Sequence, residues 1–316
     1  MKVGYYPGCS LHATARELDE SLRAVARHIG LELNELDDWS CCGATAAHST
    51  NHTLAIGLAA RNLWLASKQE HSQLMTPCAA CFSRLATARY EMRKNAQLAS
   101  KMESLLGPEL SLDLPVLNMV DVLHTMIPAI KEMLMYPLTG MKVACYYGCL
   151  LVRPSEVTGC AEPDDPRAMQ EVVEAVGATP VRWDMSVSCC GAGLSIPRTG
   201  SVLRLGREIL DDARKAGACA LIVACPMCQS NLDLRQGAMT RRGETVSAMP
   251  ILFLSQLVGL ALGLEDVELG LQRHFVDTFS VLRAVRMPKA LPAAPAAPAG
   301  KPTAKSAAKS AAREEA

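Results

Sequence analysis

Aromatic side chains make up only 4% of the chain, and 32 basic residues are matched by 32 acidic ones. The first scarcity removes aromatic stacking as a main means of recognition. The second leaves no basic surplus to neutralise phosphates, so no nucleic-acid partner is expected. Long apolar runs are also missing, since nothing reaches the roughly 18 uninterrupted apolar residues of a membrane span. MPILFLSQLVGLALGL at 249–264 comes nearest, but it is short and carries Ser255 and Gln256, which suits a buried helix. The opening MKVGYYPGCSL has neither the apolar core nor the cleavage site of a signal peptide. A cytoplasmic protein with no membrane span is the expectation. No Gly-x-Gly-x-x-Gly follows a strand-like run, so the chain shows no dinucleotide site of its own.

Cysteine, by contrast, is abundant, with 13 in 316 residues. In a small secreted protein that count would signal disulfides. In a chain of this size that reads as cytoplasmic it points to metal or redox chemistry, and the odd total excludes complete pairing. The length suits about two domains, and the 49% apolar content allows each a core.

The chain is written twice. KVGYYPGC, ending in Cys9, is answered by KVACYYGC, ending in Cys149. Each opening is followed by a helical region, a short strand candidate (LELNEL at 31–36, TPVRWDM at 179–185) and a Cys-Cys-Gly turn. A second helical region comes next, then SQLMTPCAAC or CALIVACPMC, a strand-like run entering a Cys-x-x-Cys that opens another helix. PVLNMVDVL at 115–123 and PILFLSQLV at 250–258 close the two copies. Strands alternating with helices predict an α/β fold of two pseudo-symmetric repeats, each a small parallel sheet of β-α-β units. The expected boundaries are 1–139 and 140–287, with the break inside MYPLTGMK at 135–142. The Ala/Pro/Lys-rich tail at 288–316 has almost nothing to bury and reads as disordered.

Ten of the cysteines fall into two matching sets: Cys9, Cys41, Cys42, Cys78 and Cys81, then Cys149, Cys189, Cys190, Cys225 and Cys228. The gaps are 31, 0, 35 and 2 residues in one and 39, 0, 34 and 2 in the other. A structural zinc takes four ligands, so a fifth cysteine and a vicinal pair would be surplus. A vicinal disulfide is strained and opposed by a reducing compartment. A thioredoxin-like dithiol at CPMC, residues 225–228, leaves the other members unexplained. A cubane iron-sulfur cluster needs four thiolates; five suggest something larger or less regular, with adjacent cysteines on different irons. Gly43 and Gly191 would let the backbone turn tightly after each pair, and Pro7, Pro77 and Pro226 would stiffen the loops.

The elements PGC at 7–9, CCG at 41–43, PCAAC at 77–81, YYGC at 146–149, CCG at 189–191 and CPMC at 225–228 resemble the duplicated cysteine-rich CCG domain. With PDDPRAM at 163–169, the pattern resembles the B subunit of heterodisulfide reductase and its bacterial homologues over about residues 1–265. The resemblance implies a noncubane [4Fe-4S] cluster on each five-cysteine set, giving two clusters that face each other and split one disulfide. It further implies two partners, a ferredoxin-like iron-sulfur subunit and a flavoprotein subunit. A disulfide of two coenzyme thiols is one implied substrate, and a protein-bound thiol or persulfide in sulfur oxidation is another. The alternative reading is an electron-transfer subunit between a dehydrogenase and a quinone-linked partner; some relatives of that kind keep a full cysteine set in one half only.

Cys145 and Cys219, in apolar strand-like runs, read as small buried hydrophobes, and Cys160 lies in a loop with no counterpart in the first half. His12 and His48 lie near the first motif and could donate a proton, but ordinary polar histidines are the better reading. Arg153 could attract an anionic substrate group or be a plain surface arginine. The fifteen methionines fit core filling.

Overall fold

The computed structural model describes residues 1–44, 47–239 and 248–278. Its first half runs β1 (Lys2–Tyr5), α1 (Gly8–His12), α2 (Arg16–His28), β2 (Glu32–Glu35), α3 (Ala47–Thr50), α4 (His52–Lys68), β3 (Leu74–Thr76), α5 (Ala79–Lys94), α6 (Ala96–Leu106), β4 (Val116–Asn118), α7 (Met119–Thr125) and α8 (Ile127–Glu132). The second half runs β5 (Lys142–Tyr146), α9 (Ser155–Thr158), α10 (Ala168–Ala175), β6 (Thr179–Pro180), α11 (Thr199–Lys215), β7 (Ala220–Val223), α12 (Pro226–Leu234), α13 (Gln236–Met239), β8 (Ile251–Phe253) and α14 (Leu254–Ala261). The tail expected to be disordered, 288–316, lies outside the described residues.

Each half builds a four-stranded, all-parallel sheet, and the strand orders match: β2-β1-β3-β4 and β6-β5-β7-β8. Strands covered on both faces read as continuous apolar runs, and every residue of β7 (ALIV) and β8 (ILF) is buried. TPVRWDM shrinks to the two-residue β6 at the sheet edge. Pro180 lacks an amide proton for the ladder, and Arg182 and Asp184 have no apolar face to offer.

The halves hold each other through equivalent pairs of helices. α7 packs against α10 and α14 against α2, so the helix that closes each repeat lies on the helix that precedes the edge strand of the other. This is the reciprocal arrangement of an isologous interface, made within one chain. Ser21 and Ser255 join hydroxyls at 2.7 Å in one contact, and His124 meets Glu171 at 2.6 Å in the other. Arg273 adds an ion pair to Glu20 at 2.6 Å. The described residues of the two halves accordingly belong to one compact unit.

The apolar run at 249–264 thus divides into β8 and α14, both buried. Its polar atoms are satisfied by protein: Gln256 accepts from the Phe253 amide at 2.9 Å and donates to the Leu269 carbonyl at 2.9 Å. Among the described residues no helix is long and apolar enough to cross a membrane.

Candidate metal centre

Each five-cysteine set comes from the carboxyl ends of three equivalent strands. Cys9 follows β1, Cys41 and Cys42 follow β2, and Cys78 and Cys81 flank the start of α5 after β3; Cys149, Cys189, Cys190, Cys225 and Cys228 follow β5, β6 and β7 in the same way. With strand order β2-β1-β3-β4, the chain leaves β1 towards one side and returns to add β3 on the other. The crevice beyond those strands is the topological switch point where open α/β sheets bind ligands.

The two sets repeat each other in detail. The Cys42 and Cys81 sulfurs lie 3.3 Å apart, and Cys190 and Cys228 lie 3.4 Å apart. Gly43 donates its amide to the Cys41 sulfur at 3.4 Å, and Gly191 to Cys189 at 3.3 Å. Both glycines hold φ 76°, the left-handed turn expected of them. Cys42, Cys78 and Cys81 are buried, as are Cys190, Cys225 and Cys228, whereas Cys9, Cys41 and Cys189 are exposed and Cys149 is half-buried.

A tether that sequence reasoning missed orients each vicinal pair. Tyr6 donates its hydroxyl to the Ser40 carbonyl at 2.8 Å, and Tyr146 to Ser188 at 2.6 Å, in each case the residue just before the two cysteines. Each ring also packs on a tryptophan, Tyr6 on Trp39 with centroids 5.5 Å apart and Tyr146 on Trp183 at 6.1 Å. The signal was present: four of the chain's 6 tyrosines stand in the two opening motifs, as Tyr5, Tyr6, Tyr146 and Tyr147.

Crowding controls the charge of the sulfurs. A hydrogen bond from Cys81 outweighs burial and lowers Cys42 to about 7, while Cys81 itself is pushed well up. Cys189, bonded by Cys149, falls to about 6, and Cys225, bonded by Cys228, falls to about 7. Such sets hold thiolates at neutral pH, which is the metal-binding form.

The donor chemistry fits a group larger than one ion. Five sulfurs per set exceed the four that a tetrahedral ion takes, and they crowd together, with Cys81 bonded to both Cys42 and Cys78 and Cys228 to both Cys190 and Cys225. Ser40 Oγ and Thr76 Oγ1 are buried with no hydrogen-bond partner among the described residues. Each stands beside the cysteine motif, and a buried hydroxyl left so costs about 1–3 kcal/mol. The inorganic sulfide of an iron-sulfur group held by these cysteines would be a fitting acceptor.

The second cysteine set opens onto a space that residues of the first half also line, though no cysteine of the first set lines it. A cavity of about 260 Å³ is lined by Ala79, Ala80 and Arg84 from the first half and by Cys189, Cys225 and Cys228, among others, from the second. The Ala79 amide, inside the first Cys-x-x-Cys, hydrogen-bonds the Cys225 sulfur of the second.

The remaining candidates lie elsewhere. Cys145 is buried in β5, and burial raises its thiol to about 12. Cys219 is exposed just before β7, with its sulfur 3.1 Å from the Lys142 carbonyl, and so is not the buried hydrophobe expected. Cys160 lines a separate cavity of about 390 Å³ with Asp121 and Glu162. His12 pairs with Glu35 at 3.4 Å, and Arg153 pairs with Asp164 on the surface. The His48 side chain lies outside the described residues.

A repeated parallel α/β scaffold that gathers five cysteines at each switch point defines a two-centre cysteine-rich protein. The profile of the cysteine-rich domain CCG matches residues 3–86 and 143–233, spanning all ten cysteines, and the chain belongs to that family with two copies of the domain. It is 33% identical over 282 residues, 87% of this chain and 97% of the relative, to the 8-methylmenaquinol:fumarate reductase membrane anchor subunit of Wolinella succinogenes. It is 29% identical over 293 residues, 90% of this chain and 97% of the relative, to the B subunit of the ferredoxin:CoB-CoM heterodisulfide reductase of Methanosarcina mazei. A crystal structure of a hypothetical protein from Helicobacter pylori shares the fold, with TM-score 0.66 and 14% identity. That match covers 87% of this chain, which spans about half (52%) of the solved one.

Proposed function

We propose that the chain is the iron-sulfur subunit of a cytoplasmic oxidoreductase complex of the heterodisulfide reductase type, in sulfur metabolism. Repeat 1–139 would hold one noncubane [4Fe-4S] cluster through Cys9, Cys41, Cys42, Cys78 and Cys81. Repeat 140–287 would hold the second through Cys149, Cys189, Cys190, Cys225 and Cys228. The observation that carries the reading is the cavity lined by all five cysteines of the second set together with Ala79 and Ala80 from inside the first Cys-x-x-Cys. When bound, the clusters would supply one-electron transfer and iron able to take a substrate sulfur.

The chain's own residues do the placing. The Tyr6 and Tyr146 tethers fix the vicinal pairs, the buried cysteines anchor each set, Cys9 and Cys41 are exposed, and the exposed Cys189 lines the cavity. Reduction of a disulfide consumes two electrons and two protons and yields two thiols; the reverse returns them. A ferredoxin-like iron-sulfur subunit and a flavoprotein subunit would supply or accept the electrons. The name of the relative from Methanosarcina mazei, which includes ferredoxin, supports a donor of that kind.

A second reading has its own support. The relative from Wolinella succinogenes is named a membrane anchor subunit of a quinol:fumarate reductase. On that reading the chain relays electrons between a dehydrogenase and a quinone-linked partner and breaks no sulfur-sulfur bond.

Iron and acid-labile sulfide per chain, with electron paramagnetic resonance of the oxidised, anaerobically purified protein, separate the two. About eight irons and a signal that changes on adding thiols are expected for paired clusters that bind substrate sulfur. A loaded protein whose signal ignores thiols supports the relay, and zinc without iron excludes both.

A further inference from the structure

We infer that Arg84 recognises a negatively charged substituent on the sulfur substrate, an inference that rests on the reading of the shared cavity as the place of sulfur chemistry. Arg84 lies on α5 three residues after Cys81 and four after Ala80, so it shares a helix face with Ala80, and both line the cavity. Its neighbours on the same helix are engaged: Arg89 donates to the Leu114 carbonyl at 2.7 Å, and Arg93 pairs with Asp113 at 2.6 Å. Arg84 is half-buried and, among the described residues, makes no ion pair with a carboxylate and no hydrogen bond, though its charge helps to lower the Cys42 thiol. Among the described residues lining the cavity it is the only lysine or arginine, and no carboxylate is present.

The repeat supplies an internal control. Counting from Cys81 and Cys228, the position of Arg84 is taken in the second half by Asn231. That side chain turns back onto its own cysteine loop, donating to the Cys190 carbonyl at 3.4 Å and bonding Ser195 at 2.9 Å. One half therefore spends this position on its own loop, while the other points an unpaired guanidinium into the common space. A guanidinium presents a planar fork that matches carboxylate, sulfonate or phosphate oxygens, and a partly enclosed site strengthens the attraction. The substrate is then an anionic thiol or disulfide, lying with its charged end against α5 and its reacting sulfur towards the second cysteine set. Arg153, the candidate that the sequence offered for this role, is held by Asp164.

The test uses the full-length, anaerobically purified protein with its iron bound. The thiol-dependent paramagnetic signal is titrated with 3-mercaptopropionate, an anionic thiol, and with cysteamine, a cationic one, in wild type, Arg84→Met and Arg84→Lys. Wild type is expected to respond to 3-mercaptopropionate at about tenfold lower concentration than to cysteamine, the size of one charge-assisted contact. Arg84→Met should remove that preference while keeping the iron content, and Arg84→Lys should restore part of it. Equal response of wild type to both thiols, or a preference that survives in Arg84→Met, overturns the assignment and leaves the disulfide reading standing. Loss of iron in Arg84→Met with the preference intact makes Arg84 a counter-charge to the cluster and also overturns it. A wild-type signal indifferent to every thiol removes both the disulfide reading and this one.

Discussion

The hydroxyl of Tyr146 is donated at 2.6 Å to the carbonyl oxygen of Ser188, immediately before the Cys189 and Cys190 pair. The equivalent acceptor in the first half, Ser40, also receives Asn62 Nδ2 at 3.0 Å. The Ser188 carbonyl has no second side-chain donor among the described residues. Tyr6→Phe therefore leaves its carbonyl satisfied and should cost about 1 kcal/mol, whereas Tyr146→Phe strands one and should cost towards 3 kcal/mol. Thermal unfolding of the two variants side by side tests the order; equal losses would count against the tether as described.

Gly8 holds φ 72°, and a Cβ added there would sit 2.9 Å from the Cys81 sulfur; at Gly148 the corresponding distance is 3.3 Å from Cys228. Both positions combine a left-handed backbone with close approach to a cysteine. Gly8→Ala should displace Cys81 and lower iron content to about half of wild type, and Gly148→Ala should lower it less. Iron per chain, measured with circular dichroism to confirm folding, decides this.

Loss of one buried member of a set should empty that set alone. Cys42→Ser and Cys190→Ser are each expected to leave about four irons per chain, half of the full complement. Cys219→Ser, on an exposed residue outside both sets, should leave iron unchanged. A drop in iron on changing Cys219 would show that the sets are drawn wrongly.

His274 gives the fold a dependence on acidity. Burial lowers its pKa from 6.5 to about 4, and its ring lies between Gln256 and Gln229, 3.9 Å from Asp233. The unfolded chain takes up this proton below pH 6.5 while the folded chain refuses it until about 4, so stability falls across that window as pH drops. The full effect is about 3 kcal/mol. Burial also raises Asp233, which takes up a proton on folding at low pH and offsets part of the loss. His274→Gln should be less stable than wild type at pH 7.5, and the gap should close as pH approaches 4.5. Denaturation at several pH values checks it; a constant gap would refute the assignment.

Much of this architecture is legible in the sequence because it is local and repeated. Apolar runs of the right length mark β1, β3, β5, β7 and β8, and the motif cysteines at their ends mark the switch points. PVLNMVDVL reads as one apolar segment because β4 passes into α7 with no polar break, the Asn118 side chain capping the helix through the Val120 amide at 2.9 Å. The reciprocal packing of α7 on α10 and α14 on α2 leaves no periodic trace, since each contact joins segments remote in the chain. Arg84 escaped notice for a related reason: on a helix with Arg89 and Arg93 it looks like one more solvated charge, and only the cavity distinguishes it. Arg153 stood out through its place beside Cys149, yet proximity in sequence did not bring it into the shared space.

The reciprocal helix contacts have a mechanical consequence. With α10 resting on α7 and α14 on α2, the halves are clasped by two reciprocal contacts, and α9 packs on α5 besides. Widening the gap between the cysteine sets would require breaking both clasps together, including the Ser21 to Ser255 bond and the Arg273 to Glu20 pair. The space between the halves is thus tied on opposite sides, and a change in its width would strain contacts drawn from both ends of each repeat at once.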